Sequence, residues 1–114
     1  MDVLIPTGGD MQISISSPNL DLKPDDAEQI ERDLEKIERR LQSYKEVDAR
    51  VRISNGVPSQ GFSVTLDVHY RRNHLIAKAN NTDLGMAVRE AREEILRQIN
   101  DRTKRGHSSF SKGL

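Results

Sequence analysis

From Met11 onward the chain runs in short alternating stretches of apolar and polar residues, interrupted twice by stretches of longer period. Met11, Ile13 and Ile15 interleave with Gln12, Ser14 and Ser16, the two-residue repeat of a strand with one buried face. SPNLDLKPDD is turn and helix-start chemistry: Pro24 suits a first helical turn, and Asp25 and Asp26 favour the positive end of the helix dipole. Ala27, Ile30, Leu34, Ile37, Leu41 and Tyr44 then recur at intervals of three and four, one apolar stripe along an α-helix. The strand period returns with Val47, Ala49, Val51 and Ile53, pauses at the loop NGVPSQG, and resumes with Phe62, Val64, Leu66, Val68 and Tyr70. RRN reads as a tight turn into a fourth strand, HLIAKA, with Leu75, Ala77 and Ala79 facing inward. Thr82 or Asp83 caps a second helix whose stripe is Leu84, Val88, Ala91, Ile95 and Ile99.

The predicted order is β-α-β-β-β-α, an α+β domain. Each strand has one polar face, so both helices are expected on the same face of a four-stranded sheet, with the other face wet. Residues 1–10 hold Pro6 and the Gly8–Gly9 pair and show no period, which predicts a flexible N-terminal arm. The domain is expected over 11–105, with Gly106 ending the second helix and 106–114 a disordered tail.

Composition narrows the chemistry. A chain of 114 residues makes one domain with a core of its own, and with aromatics at 4% that core must be aliphatic. Without cysteine there is no disulfide, thiol nucleophile or thiolate metal site. A reducing cytoplasm is the simplest home for a cysteine-free chain; no stretch approaches the roughly 20 apolar residues of a membrane span, and the N-terminus lacks a signal-peptide pattern. His69 and His74 flank the last tight turn and His107 lies near the C-terminus. No two histidines stand four apart on a helix, and no carboxylate completes a recognisable ligand spacing, so neither a metal site nor a cofactor is expected. His69 alternates with core positions, which puts it on the wet face of the sheet. Ser16–Ser17 and Ser108–Ser109 have no neighbouring base to activate them, and the glycines form no phosphate loop. The sequence offers no enzyme.

Charge adds the functional signal. The chain is neutral, yet residues 1–48 hold 12 acids and 6 bases while residues 49–114 hold 6 acids and 12 bases. Within the helices the signs are sorted as well. Arg32, Lys36 and Arg40 follow at i, i+4 and i+8 beside the first apolar stripe, with Arg39 nearby, while Glu28, Glu31, Glu35 and Glu38 take the other flank. On the second helix Arg89 and Arg92 share a flank; Glu90, Glu94 and Asp101 lie opposite with Arg97 among them, and Arg102, Lys104 and Arg105 extend the charge. Like charges four apart cost a helix a few tenths of a kcal/mol per pair, so selection for stability alone would interleave the signs. Sorted arginines predict a docking surface for a polyanion or an acidic partner, against the alternative of a merely solvated surface.

The segments MQISI, LEKIERRL, LDVHYRRNHLIAKA and TDLGMAVREAREEILRQINDR, over residues 11–105, resemble the bacterial ribosome hibernation-promoting factors, also called ribosomal subunit interface, ribosome-associated inhibitor or sigma-54 modulation proteins. The chain ends soon after the second helix and so resembles the short type. The resemblance implies a non-enzymatic translation regulator that sits on the small ribosomal subunit near the mRNA and tRNA channel, contacts the rRNA backbone, and inactivates or stores ribosomes under stress. It implies RNA contacts for Lys36, Arg39, Arg89, Arg92, Arg97, Arg102, Lys104 and Arg105, to which the helix ridge adds Arg32 and Arg40. Lys78 is expected to join them where the fourth strand approaches the last helix. No membrane or DNA partner is expected, and the free protein is expected to be a monomer. The chain departs from the family pattern at Gly85, where an aromatic is usual, and at Glu94, where lysine is common. A self-associating protein-interaction module of the same fold is the second reading.

Overall fold

A computed structural model describes residues 2–6, 11–18, 22–55 and 61–111, with side chains described over 11–18, 22–54 and 61–103. Its strands are β1 (Asp2–Pro6), β2 (Met11–Ser16), β3 (Val47–Asn55), β4 (Phe62–Tyr70) and β5 (Asn73–Asn81); its helices are α1 (Pro24–Arg40), between β2 and β3, and α2 (Leu84–Ser111), after β5. The five strands form one sheet in chain order. β2 and β3 are parallel, joined through α1, and the other neighbours are antiparallel.

The expected β-α-β-β-β-α arrangement is present, with one addition. Residues 2–6, expected as part of a flexible arm, form an edge strand against β2, Val3 opposite Ile15 and Ile5 opposite Ile13. Backbone pairing needs no alternation of side chains, so the run VLIP gave the periodicity nothing to detect. The C-terminal expectation also changes. Gly106 does not end α2, which continues to Ser111. A glycine inside a helix costs about 1 kcal/mol relative to alanine, a weakening rather than a stop, and no proline follows it.

Alternation sends Met11, Ile13, Ile15, Val47, Ala49, Val51, Ile53, Val64, Leu66, Val68, Tyr70, Leu75 and Ala77 to one face, all buried. Ile30, Leu34 and Ile37 of α1 and Val88, Ala91, Ile95 and Ile99 of α2 close over them, all at most 2% exposed. α2 lies over β4 and β5, and α1 packs beside α2 and over β2. The helices thus cover one face, as the polar alternation demands, and Gln12, Asp48, Arg50, Arg52, His69, His74 and Lys78 lie on the other.

Local chemistry sets the helix starts. Asp26, in the first turn of α1, accepts a hydrogen bond from the backbone N–H of Lys23 at 3.2 Å. For α2 the cap is Asp83: its Oδ1 accepts from the backbone N–H of Met86 at 3.1 Å, satisfying one of the donors a helix start leaves open. Leu41, although in the predicted helical stripe, lies just past the end of α1 and is still buried, at 1% exposed. Among the described residues no helix is long and apolar enough to cross a membrane.

Candidate nucleic-acid interface

The helices run side by side in the same direction, because three successive contacts advance together along both. Arg92 Nη1 lies 3.8 Å from Asp33 Oδ1, Lys36 Nζ lies 3.8 Å from Glu93 Oε2, and Arg40 donates to Asn100 Oδ1 at 3.2 Å and to Thr103 Oγ1 at 3.4 Å. The row at 32, 36 and 40 therefore borders the seam between the helices, with α2 as its other bank. Both basic flanks meet along one seam.

One turn before Lys36 on α1 is Arg32, and one turn before Glu93 on α2 is Arg89. Both are exposed and neither forms an ion pair among the described residues. These two guanidiniums border the N-terminal part of the seam with their charge uncompensated. Among the described residues Arg40 hydrogen-bonds to the neutral oxygens of Asn100 and Thr103, Arg102 donates to Asn73 Oδ1 at 3.2 Å, and neither is paired with an acid.

The other helix cations with described side chains are engaged by acids. Arg39 pairs with Glu35 at 3.4 Å, on an exposed surface. Arg97 grips Glu94 at 2.5 Å and Asp101 at 2.9 Å. Hydrogen bonds from Arg97 and then Gln98 hold the Glu94 carboxyl down at about 2, against an ordinary 4.5. Glu94 thus neutralises Arg97, one turn further along its own helix.

Arg92 departs furthest from expectation. The flank it shares with Arg89 was to be an exposed ridge, yet its side chain is 14% exposed, wedged between the helices. It reaches Glu93 at 2.8 Å and Asp33 at 3.8 Å, and donates to the Asp33 backbone carbonyl at 3.4 Å. Asp33 is itself buried and also accepts from Gln29 at 3.2 Å. Arg92 has no acid three or four residues away on α2, because its partners are on α1 and next to it in the chain.

Lys78 is also displaced from its expected place. It lies between buried Ala77 and Ala79, so strand parity turns it to the helix-free face, opposite Thr65. There it joins Arg50 and Arg52, exposed cations of β3 that a search confined to helix flanks omits. Strand alternation alone would have found them. Lys104 and Arg105 fall on α2, with side chains outside those described.

At the far end of the seam Tyr70 and Tyr44 pack with ring centroids 5.0 Å apart, and the Arg71 guanidinium sits 5.1 Å over the Tyr44 ring. Burial, followed by the neighbouring Tyr44, pushes the Tyr70 hydroxyl up; Arg102 and Arg40 pull in the opposite direction.

The fold is shared with solved proteins. The Thermus thermophilus Protein Y N-terminal domain superposes with a TM-score of 0.64 at 18% identity, over 75% of this chain and 90% of that one. A ribosomal subunit interface protein from Coxiella burnetii superposes with a TM-score of 0.69 at 15% identity, over 81% of this chain and 97% of that one. No curated protein matches the sequence. A family model described as sigma 54 modulation protein / S30EA ribosomal protein matches residues 13–106. With that match covering most of the sequence, on a fold of the same architecture, the chain belongs to the sigma 54 modulation protein / S30EA ribosomal protein family.

Proposed function

We propose that the protein is a non-enzymatic, cytoplasmic translation regulator that docks on the small ribosomal subunit near the mRNA and tRNA channel and inactivates or stores ribosomes under stress. The observation that carries this reading is the pair of uncompensated guanidiniums, Arg32 and Arg89, at one end of a seam that continues through Lys36 and Arg40. A guanidinium offers two parallel donors to a phosphate, and binding releases the counterions condensed there. Such contacts give affinity and orientation without reading sequence, which suits a scaffold of folded rRNA. Family membership and the ribosomal names of the family and one structural neighbour support the same partner.

Arg92 and Arg97 take a supporting part here: one joins the helices and the other answers local acids. Arg32, Lys36, Arg39, Arg40, Arg89 and Arg102 are the contact residues, with Lys104 and Arg105 extending them.

Co-sedimentation with purified small subunits tests the proposal. The wild-type protein should pellet with subunits at low salt and be released as salt rises, and Arg32→Glu/Arg89→Glu should pellet much less. Equal pelleting of the two proteins, or binding indifferent to salt, would overturn it. A stable dimer in light scattering without RNA would favour the self-association reading.

A further inference from the structure

The helix-free face of the sheet carries a second grouping, remote from the helix seam. Asp67 and His69 are two apart on β4 and therefore share a face; His74 on β5 stands directly opposite His69. The two-residue turn at Arg71 and Arg72 closes this hairpin, with Tyr70 opposite Asn73, and Arg71 takes a left-handed backbone at φ 54°. So short a connection fixes the register, which in turn fixes the two imidazoles opposite each other.

The side chains converge. Asp67 Oδ1 lies 2.6 Å from His74 Nε2 and 3.6 Å from His69 Nε2, and the imidazole rings stack with centroids 3.8 Å apart. One donor atom from each of the three residues falls within 4.8 Å of the others. Zinc bound at about 2.0–2.2 Å to nitrogen and oxygen in a tetrahedron holds its donors about 3.3 Å apart. The 2.6 and 3.6 Å separations bracket that value, and the exposed imidazoles, stacked in this structure, must turn for both Nε2 lone pairs to face one ion.

We propose that Asp67, His69 and His74 form a binding site for a divalent transition-metal ion of the zinc type. Two imidazoles and one carboxylate suit zinc, copper or nickel and not magnesium, which demands octahedral oxygen and keeps its waters. Each neutral imidazole presents the Nε2 lone pair when its hydrogen is on Nδ1. The side chains are 47% (His69), 43% (His74) and 27% (Asp67) exposed, so the fourth position opens to solvent and is taken by water. The Asp67–His74 contact, in which Nε2–H donates to the carboxylate, holds two of the donors together before an ion arrives; binding requires that proton to leave or to move to Nδ1, which frees the Nε2 lone pair.

Isothermal titration with zinc chloride alone, in a non-chelating buffer, tests the site. One equivalent should bind, and magnesium chloride should give no heat of binding. His69→Ala and His74→Ala should each weaken zinc at least tenfold, since even loss of a group that only orients a ligand weakens metal sites about 10–100-fold. His107→Ala should leave binding unchanged. The imidazole signals of His69 and His74 in nitrogen-correlated NMR should shift together and saturate at one equivalent. Zinc binding untouched by either hairpin substitution, abolished by His107→Ala, or matched by magnesium would overturn the proposal, as would immobile imidazole signals.

Discussion

Arg92 and Asp33 stand 59 positions apart in sequence, yet the Arg92 guanidinium reaches both the Asp33 carboxylate, at 3.8 Å, and its backbone carbonyl, at 3.4 Å. The two side chains are only 14% and 9% exposed, and Asp33 Oδ2 has no hydrogen-bond partner among the described residues. Removing one member of a largely buried ion pair leaves the other charged in a poor solvent. Arg92→Ala should therefore destabilise the fold by about 2–3 kcal/mol in urea unfolding, toward the low end for buried pairs because Arg92 keeps some water. Arg89→Ala, at an exposed and unpaired position, should change stability by about 0.5 kcal/mol or less. Similar losses from both would remove the interhelical role assigned to Arg92.

The contrast between those two arginines shows where the sequence was legible. Periodicity located four of the strands and both helices, because burial on one face imposes its period directly on the chain. It missed β1, whose pairing with β2 is a backbone property. The helical wheel placed Arg89 correctly on an exposed flank but misjudged Arg92, since a wheel represents one helix and the decisive partner lies on the other. One signal was available: Asp33 falls between Ile30 and Ile37, inside the apolar stripe of α1, and an acid there calls for a cation from across the interface. The hairpin cluster was legible in part. Alternation put His69 on the open face, but only the register of β4 on β5 set His74 opposite it.

Gly61 enters β4 with φ +75°, and a Cβ built there would stand 2.5 Å from the Thr82 Cα and 2.6 Å from the Asn81 carbonyl oxygen. The obstacles are backbone atoms, which cannot rotate aside. Gly61→Ala should lower stability by about 2 kcal/mol or more through the left-handed backbone and the close approach together. Denaturant unfolding checks this, and an unchanged midpoint would contradict the local geometry.

Asp83 caps α2 through Met86, the helix that supplies Arg89 and Arg102. Asp83→Ala should cost about 1 kcal/mol and lower the melting temperature by about 4–8 °C, whereas Asp83→Asn, which keeps an acceptor oxygen, should cost much less. Differential scanning calorimetry separates the two; equal losses would show that the cap hydrogen bond is not what matters.

Glu94 has its carboxyl held at about 2 by Arg97 and Gln98, below the ordinary 4.5. A carboxyl depressed in the folded state contributes stability that is fully present above the unfolded value. That contribution is lost as pH falls from about 4.5 through about 2. Wild type should therefore exceed Glu94→Gln in stability at neutral pH, with the gap closing across that window. Because Glu94 is partly exposed to solvent, added salt should narrow the gap at neutral pH too. A gap independent of pH would mean that Glu94 acts through packing or neutral hydrogen bonds.

Arg32 and Arg89 carry the last prediction, which separates phosphate contact from general surface charge. If each neutralises a phosphate, the plot of log affinity for small subunits against log salt should flatten by about one unit per arginine removed. Arg32→Ala and Arg89→Ala should each flatten it by that amount, and the double variant by about two. Lys78→Ala, on the opposite face of the sheet, should leave the slope unchanged. Fluorescence anisotropy of the labelled protein, titrated with subunits at several salt concentrations, gives the slopes directly. A slope that responds to Lys78 and not to Arg32 or Arg89 would place the docking surface on the open sheet instead of the helix seam.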